Sequence, residues 1–159
     1  MSWRGSTSVP DRIFACLPYL IPLIESLRFG SSLILQFSVL ETLLFPILII
    51  GAVYESLGAF GQIAIFFALF LLVVRNERIS HFIRFNTMQA ILLDIVLILF
   101  SIGLRILSSA PGTGFASQTL GNTVFLGILA SFSYAVFQSI MGRYAEIPAI
   151  SDAVHMQVR

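Results

Sequence analysis

Apolar residues fall in five stretches along the chain, separated by short polar breaks. The first, residues 13–27, is interrupted by Pro18 and Pro22 and closes on Glu25, Arg28 and Gly30. As a helix it measures about 22 Å, short of the roughly 30 Å hydrocarbon core, and its prolines remove backbone donors. It predicts a short Pro-containing interfacial or re-entrant helix over 13–29. The second stretch, residues 33–54, is about 33 Å long as a helix and crosses, with Glu41 inside it and a kink expected at Pro46. The third, residues 57–74, is about 27 Å and almost wholly apolar. The fourth, residues 88–107, is about 30 Å, carries Asp94 and ends near Arg105. The fifth, residues 123–141, is about 28 Å and follows a Ser-, Gly- and Pro-containing loop at 108–121. The expected fold is an all-α integral membrane protein with four transmembrane helices. It forms one membrane domain over 1–159, closes in a tail at 142–159 and has no internal repeat.

Arginine positions orient these spans. Arg75, Arg78 and Arg84 crowd the loop between the third and fourth stretches, whereas residues 54–58 and 108–121 hold no arginine. The positive-inside rule puts the Arg-rich loop in the cytoplasm or stroma. Four spans then return both termini to that side, which suits Arg4, Arg12 and Arg28 before the first span and Arg143 after the last. Arg105 stands alone near the opposite face and can snorkel outward.

Composition agrees with a lipid-embedded chain. Of 159 residues 57% are hydrophobic and only 11% charged, with a mean hydropathy of +0.95. A soluble domain carries about 25% charged residues, so there is too little polar surface here to cover a water-facing globule. The net charge of +1 leaves no basic footprint for nucleic acid. Cys16 is the single cysteine, which excludes an intrachain disulfide and a Cys-based metal cluster. Residues 1–12 carry neither an apolar signal sequence nor a long Ser- and Arg-rich transit leader. That points to a bacterial protein, an organelle-encoded one, or a mature form.

Polar groups inside the apolar stretches are the informative exceptions. On the fourth, Asn86, Asp94, Ser101 and Arg105 share an arc of about 100° on a helical projection. A charge as deep as Asp94 costs roughly 2.5 to 3.5 kcal/mol on insertion scales unless it is paired, hydrated or protonated. Glu41 takes the corresponding place on the second stretch. Glu41, Asn86, Gln89, Asp94, Ser101 and Gln138 are therefore candidates either for hydrogen-bonding between helices or for lining a hydrophilic path. On the fifth, Gly127, Ser131, Tyr134 and Gln138 share an arc of about 60°. Gly127 and Ser131 form a small-xxx-small pair, so this face reads first as a helix-packing surface. Arg75, Arg78 and Arg84 set topology first, and secondarily offer a landing site for anionic lipid or an acidic partner.

The run RNERISHFIRFNTMQAILLDIVL, residues 75–97, resembles the Tic-twenty family, the twenty-kilodalton membrane subunit of the translocon at the inner envelope of chloroplasts, with cyanobacterial relatives. ACLPYLIPLIESLRFG at 15–30 and RYAEIPAISDAV at 143–154 are similar to the family's N-terminal segment and C-terminal tail, so the resemblance covers most of the chain from Asp11 onward. Plant nuclear-encoded members carry a long transit peptide, which shifts the expectation here to the cyanobacterial or plastid-encoded type. The resemblance implies four spans with both ends in the stroma, and a role as a component of a protein-conducting translocon. It places the chain in a cyanobacterial plasma or thylakoid membrane or a plastid inner envelope.

No catalytic motif competes. There is no GxGxxG, P-loop, HExxH or GxSxG, so the chain is expected to be no enzyme and to hold no cofactor. His81 and His155 lack acidic partners at metal-ligand spacing. His81 is read as an ordinary interfacial histidine ahead of a ligand to a chlorophyll magnesium. Three functions remain: a subunit of a protein-translocating complex, an accessory or assembly subunit of another photosynthetic membrane complex, and a small-solute channel. The expected partners are other membrane subunits in a hetero-oligomeric complex, lipid and a translocating polypeptide.

Overall fold

A computed structural model describes residues 7–158. Ser8 opens the first helix with a capping box. Its hydroxyl accepts from the Asp11 N–H at 3.3 Å, and the Asp11 carboxylate accepts from the Ser8 N–H at 3.0 Å. Pro10 stands in the first turn, where its missing N–H costs nothing. This helix, α1 (Val9–Cys16), runs through a 3₁₀ turn (Leu17–Tyr19) into α2 (Leu20–Leu27). Pro18 and Pro22 each fall in the first turn of their element, where no helical hydrogen bond is lost, so the prolines shape the segment without breaking it. Tyr19, Pro22, Leu23, Ile24 and Ser26 are buried in the bundle.

The single helix expected over 33–54 is divided. Gly30 precedes α3 (Ser31–Gln36), then Phe37 adopts extended dihedrals (φ −115°, ψ 99°) before α4 (Ser38–Ser56). Neither glycine nor proline marks the break in sequence. Leu57 and Gly58, the latter at φ 66°, turn the chain into α5 (Gly58–Ala68), which continues as a π-helix (Leu69–Val74). The wider coil closes with the Arg75 N–H bonded to the Phe70 carbonyl at 3.0 Å, and the Arg84 Nε donates to the Val74 carbonyl at 2.8 Å.

The two remaining long helices start earlier than the hydrophobic pattern indicates. Ser80 caps α6 (His81–Ser108), accepting from the Ile83 N–H. The loop expected at 108–121 shrinks to residues 109–113, because α7 runs Gly114–Ile140. The Thr119 and Thr123 hydroxyls donate to the carbonyls four residues back, at 2.9 and 2.8 Å, so polar side chains sit on a helix without interrupting it. Gly142 at φ 71° ends α7 in a Schellman turn: its N–H bonds Ser139 O at 3.0 Å, and the Arg143 N–H bonds Gln138 O at 2.9 Å. Arg12 adds a cap, donating to Ile140 O at 3.2 Å. The tail folds back as α8 (Ile150–Gln157), with Val154 and Val158 buried against Val74, Phe85, Met88 and Ile91.

Helix α6 is the axis of the bundle. Its Ala90, Leu93 and Leu97 meet Tyr19 from the N-terminal segment and Ile128 and Ala135 from α7. Close approach of α7 to the turn after α2 depends on Gly30, where a Cβ would overlap the Phe125 ring, and on Gly121, where it would lie 3.2 Å from Phe29 O. By contrast α4 and α5 sit at the periphery, and no residue of α5 is fully buried. Apolar side chains point outward all round, with Leu35, Phe60 and Phe115 exposed by 80%, 91% and 83%. Such an exterior needs lipid. Ser38–Ser56, His81–Ser108 and Gly114–Ile140 are long and apolar enough to cross a membrane, and Gly58–Val74 is a shorter apolar helix.

Candidate functional site

Two polar features lie within this apolar bundle. The first is a closed knot where the N-terminal segment, α6 and α7 meet. The Tyr19 hydroxyl donates to Asn86 Oδ1 at 2.9 Å and accepts from Gln89 Nε2 at 2.8 Å. Gln89 Nε2 also donates to Ala145 O at 2.6 Å, and Asn86 Nδ2 donates to Phe82 O at 2.9 Å. Ser139 Oγ completes the set with a bond to Asn86 Oδ1 at 3.3 Å. All four side chains are fully buried and mutually satisfied, so Asn86 and Gln89 bind helices to one another and have no capacity left for a passing ligand.

The second feature is a groove of about 450 Å³ between α2, the α4–α5 hairpin and α6. Glu25 and Arg28 come from α2, Tyr54 from the end of α4, Gln62 from α5, and Asp94 and Ser101 from α6; Ile63, Phe66, Phe67 and Ile98 supply apolar walls. Glu25 Oε2 and Arg28 Nη2 pair at 3.3 Å across one helical turn. Asp94 is only 6% exposed, and its Oδ1 has no hydrogen-bond partner among the described residues. A buried polar atom without a partner is costly and marks a place where something else completes the site. Volume and lining fall in the range of ligand-binding clefts, with a few convergent polar groups on apolar walls.

The other residues singled out from sequence are dispersed. Glu41 is exposed in the first turn of α4, where an acidic side chain suits the helix dipole. Ser101 lines the groove, with its hydroxyl bonded to Ile98 O at 2.7 Å. Gln138 Oε1 is buried without a partner. A Cβ at Gly127 would meet nothing among the described residues, Ser131 Oγ bonds Gly127 O at 2.8 Å, and Tyr134 is exposed. Arg75 and Arg78 are exposed, while Arg84 is tied to the π-helix end. His81 uses both ring nitrogens, toward Tyr144 Oη at 3.0 Å and Val158 O at 3.4 Å. Among the described residues no group of three or more His, Cys, Asp or Glu side chains is placed to hold a metal ion.

Tyr19, Ser139, Glu25, Arg28, Tyr54 and Gln62 were not among the expected site residues. Each comes from a segment whose neighbours are set by tertiary packing. The signal available was the ionisable pair Glu25 and Arg28, which closes the first apolar stretch one helical turn apart.

The family model described as "Chloroplast import apparatus Tic20-like" matches residues 7–154. The chain is 47% identical over 160 residues to a "Tic20 family protein" of Synechocystis sp., covering 100% of this chain and 99% of that one. It is 35% identical over 155 residues to "Protein TIC 20-II, chloroplastic" of Arabidopsis thaliana, covering 96% and 74%. Similarity to "Tic20 family protein Ycf60" of Gracilaria tenuistipitata var. liui is 33% over 160 residues, covering 95% and 76%.

Proposed function

The chain belongs to the Tic20-like family of chloroplast import apparatus proteins, and on that premise we propose that it is a non-catalytic membrane subunit of a protein-translocating complex, aiding the passage or insertion of polypeptides. The observation that carries this reading is the groove holding Glu25, Arg28, Tyr54, Gln62 and Asp94 within an otherwise apolar exterior. Extended polypeptide cannot face hydrocarbon, because its backbone groups lose their partners there, but it is tolerated along a polar cavity. The reading takes four spans, the three long apolar helices and Gly58–Val74 as the fourth. At about 25 Å it reaches the lower limit for crossing. In this reading the positive-inside rule, applied to Arg75 and Arg78 exposed in the short loop between the π-helix and α6, puts that loop and both termini on the cytoplasmic or stromal side. The membrane is a cyanobacterial plasma or thylakoid membrane or a plastid inner envelope, and the partners are other membrane subunits, lipid and the polypeptide in transit.

The reading as an accessory or assembly subunit of another photosynthetic complex draws on the unpartnered Gly127 and Ser131 face of α7, which suits close approach of a second helix. Copurification from native membranes separates the two. The translocon reading expects other secretion or import components at constant stoichiometry. Recovery with photosystem subunits alone contradicts it.

A further inference from the structure

Three buried side-chain atoms have no partner among the described residues: Thr87 Oγ1, Asp94 Oδ1 and Gln138 Oε1. Only Asp94 carries an ionisable group, and it lines two cavities. On one side lies a space of about 10 Å³ walled by Pro18, Ile21, Phe66, Leu69, Ala90 and Ile91. That is at the limit for a single water, which would find none of the several polar partners it needs among those apolar walls. On the other side lies the large groove. Any partner for the Asp94 carboxylate must therefore come from the groove.

The chemistry of that partner follows from the lining. Glu25 and Asp94 bring two carboxylates against the single guanidinium of Arg28, which Glu25 already engages. With Asp94 ionised the groove keeps one uncompensated negative charge. A donor of positive charge reaching the carboxylate from the groove answers that charge. Phe66, Phe67, Ile63 and Ile98 leave the rest of the surface apolar. The chain itself contains no lysine, and Arg105, the one arginine in the second half of α6, is exposed and outside the lining.

We propose that the groove is a receptor for a basic side chain, a lysine or arginine carried on an apolar polypeptide segment, seated with its charged end on Asp94. This deepens the translocon reading by naming the kind of segment the groove takes, and it rests on that reading for the identity of the ligand as polypeptide. Tyr54 and Gln62 frame the same opening and hold the segment's polar backbone or side-chain groups.

The test uses the full chain in lipid nanodiscs and labelled synthetic single-span peptides of leucine and alanine with one central lysine, or glutamine at the same place. Energy transfer between peptide and protein gives the affinity. The lysine peptide is expected to bind about tenfold tighter than the glutamine peptide. Asp94→Asn is expected to remove that preference, and Asp94→Glu to keep part of it. Equal binding of the two peptides to the wild-type chain overturns the proposal without relying on any variant that fails to fold, and so does an Asp94→Asn chain that keeps the preference. Failure here with translocation components still copurifying sinks the basic-side-chain site alone. Lysine preference without such components leaves the site standing and removes the translocon reading.

Discussion

The phenol of Tyr19 sits between two amides, donating to Asn86 and accepting from Gln89, with no solvent-facing surface to fall back on. Tyr19→Phe keeps the ring in its packed place and removes one bond from each amide, leaving Asn86 Oδ1 the bond from Ser139 and Gln89 Nε2 the bond to Ala145 O, which costs about 0.5–1.5 kcal/mol per hydrogen bond lost. The melting temperature in mild detergent should fall by several degrees, and less for Ser139→Ala, whose bond to Asn86 is the longer at 3.3 Å. An unchanged melt for Tyr19→Phe would mean the knot is not formed. Asp94 behaves in the opposite sense. Because its Oδ1 is unpartnered in the isolated fold, Asp94→Leu should leave the melt unchanged or raise it while abolishing lysine-peptide binding, a trade of function for stability. A clear loss of stability for the leucine variant would show that Asp94 has a partner inside the chain. Asn86, Gln89 and Asp94 were legible in the sequence because polar groups stand out against an apolar run. Tyr19 was not, since a tyrosine among leucines and prolines carries no mark of which helix it will meet.

Helix ends tested the sequence harder than helix existence. All five apolar stretches are helical, yet α6 and α7 begin seven and nine residues before the expected 88 and 123. Ser80 capping and back-bonded threonines carry the helix through polar ground that hydrophobicity alone reads as loop. The break at Phe37 was invisible for the converse reason: no residue there forbids helix. These boundaries sharpen the topology test. At 28 residues α6 is about 42 Å long, so Ser80 and Thr113 both clear the hydrocarbon at opposite ends. After Cys16→Ser, the Ser80→Cys chain should react with a membrane-impermeant thiol reagent only from the cytoplasmic or stromal side, and Thr113→Cys only from the other. Labelling of both from one face would refute the span assignment.

At the scale of the whole molecule, the fold satisfies its centre and leaves its flanks open. Tyr19, Asn86, Gln89 and Ser139 close the core, whereas Asp94 Oδ1 and Gln138 Oε1 are buried without a hydrogen-bond partner among the described residues, and a Cβ at Gly127 would meet nothing. Lipid gives helices no hydrophobic reason to associate, so small-residue faces and unpaired polar groups are what draw a second chain in. Gly127→Leu with Ser131→Leu adds bulk to this face of α7, at Gly127 into space that is open among the described residues. It should shift a gently extracted complex toward monomer on a native gel while insertion stays intact, and an unshifted complex would place the contact elsewhere. Passage of polypeptide along the groove is tested by a photoreactive residue replacing Gln62 in native membranes bearing an arrested translocation intermediate. Crosslinks from position 62 to the arrested polypeptide, absent when the same residue replaces lipid-facing Phe60, are the predicted result. Crosslinks to lipid alone from both positions would contradict it.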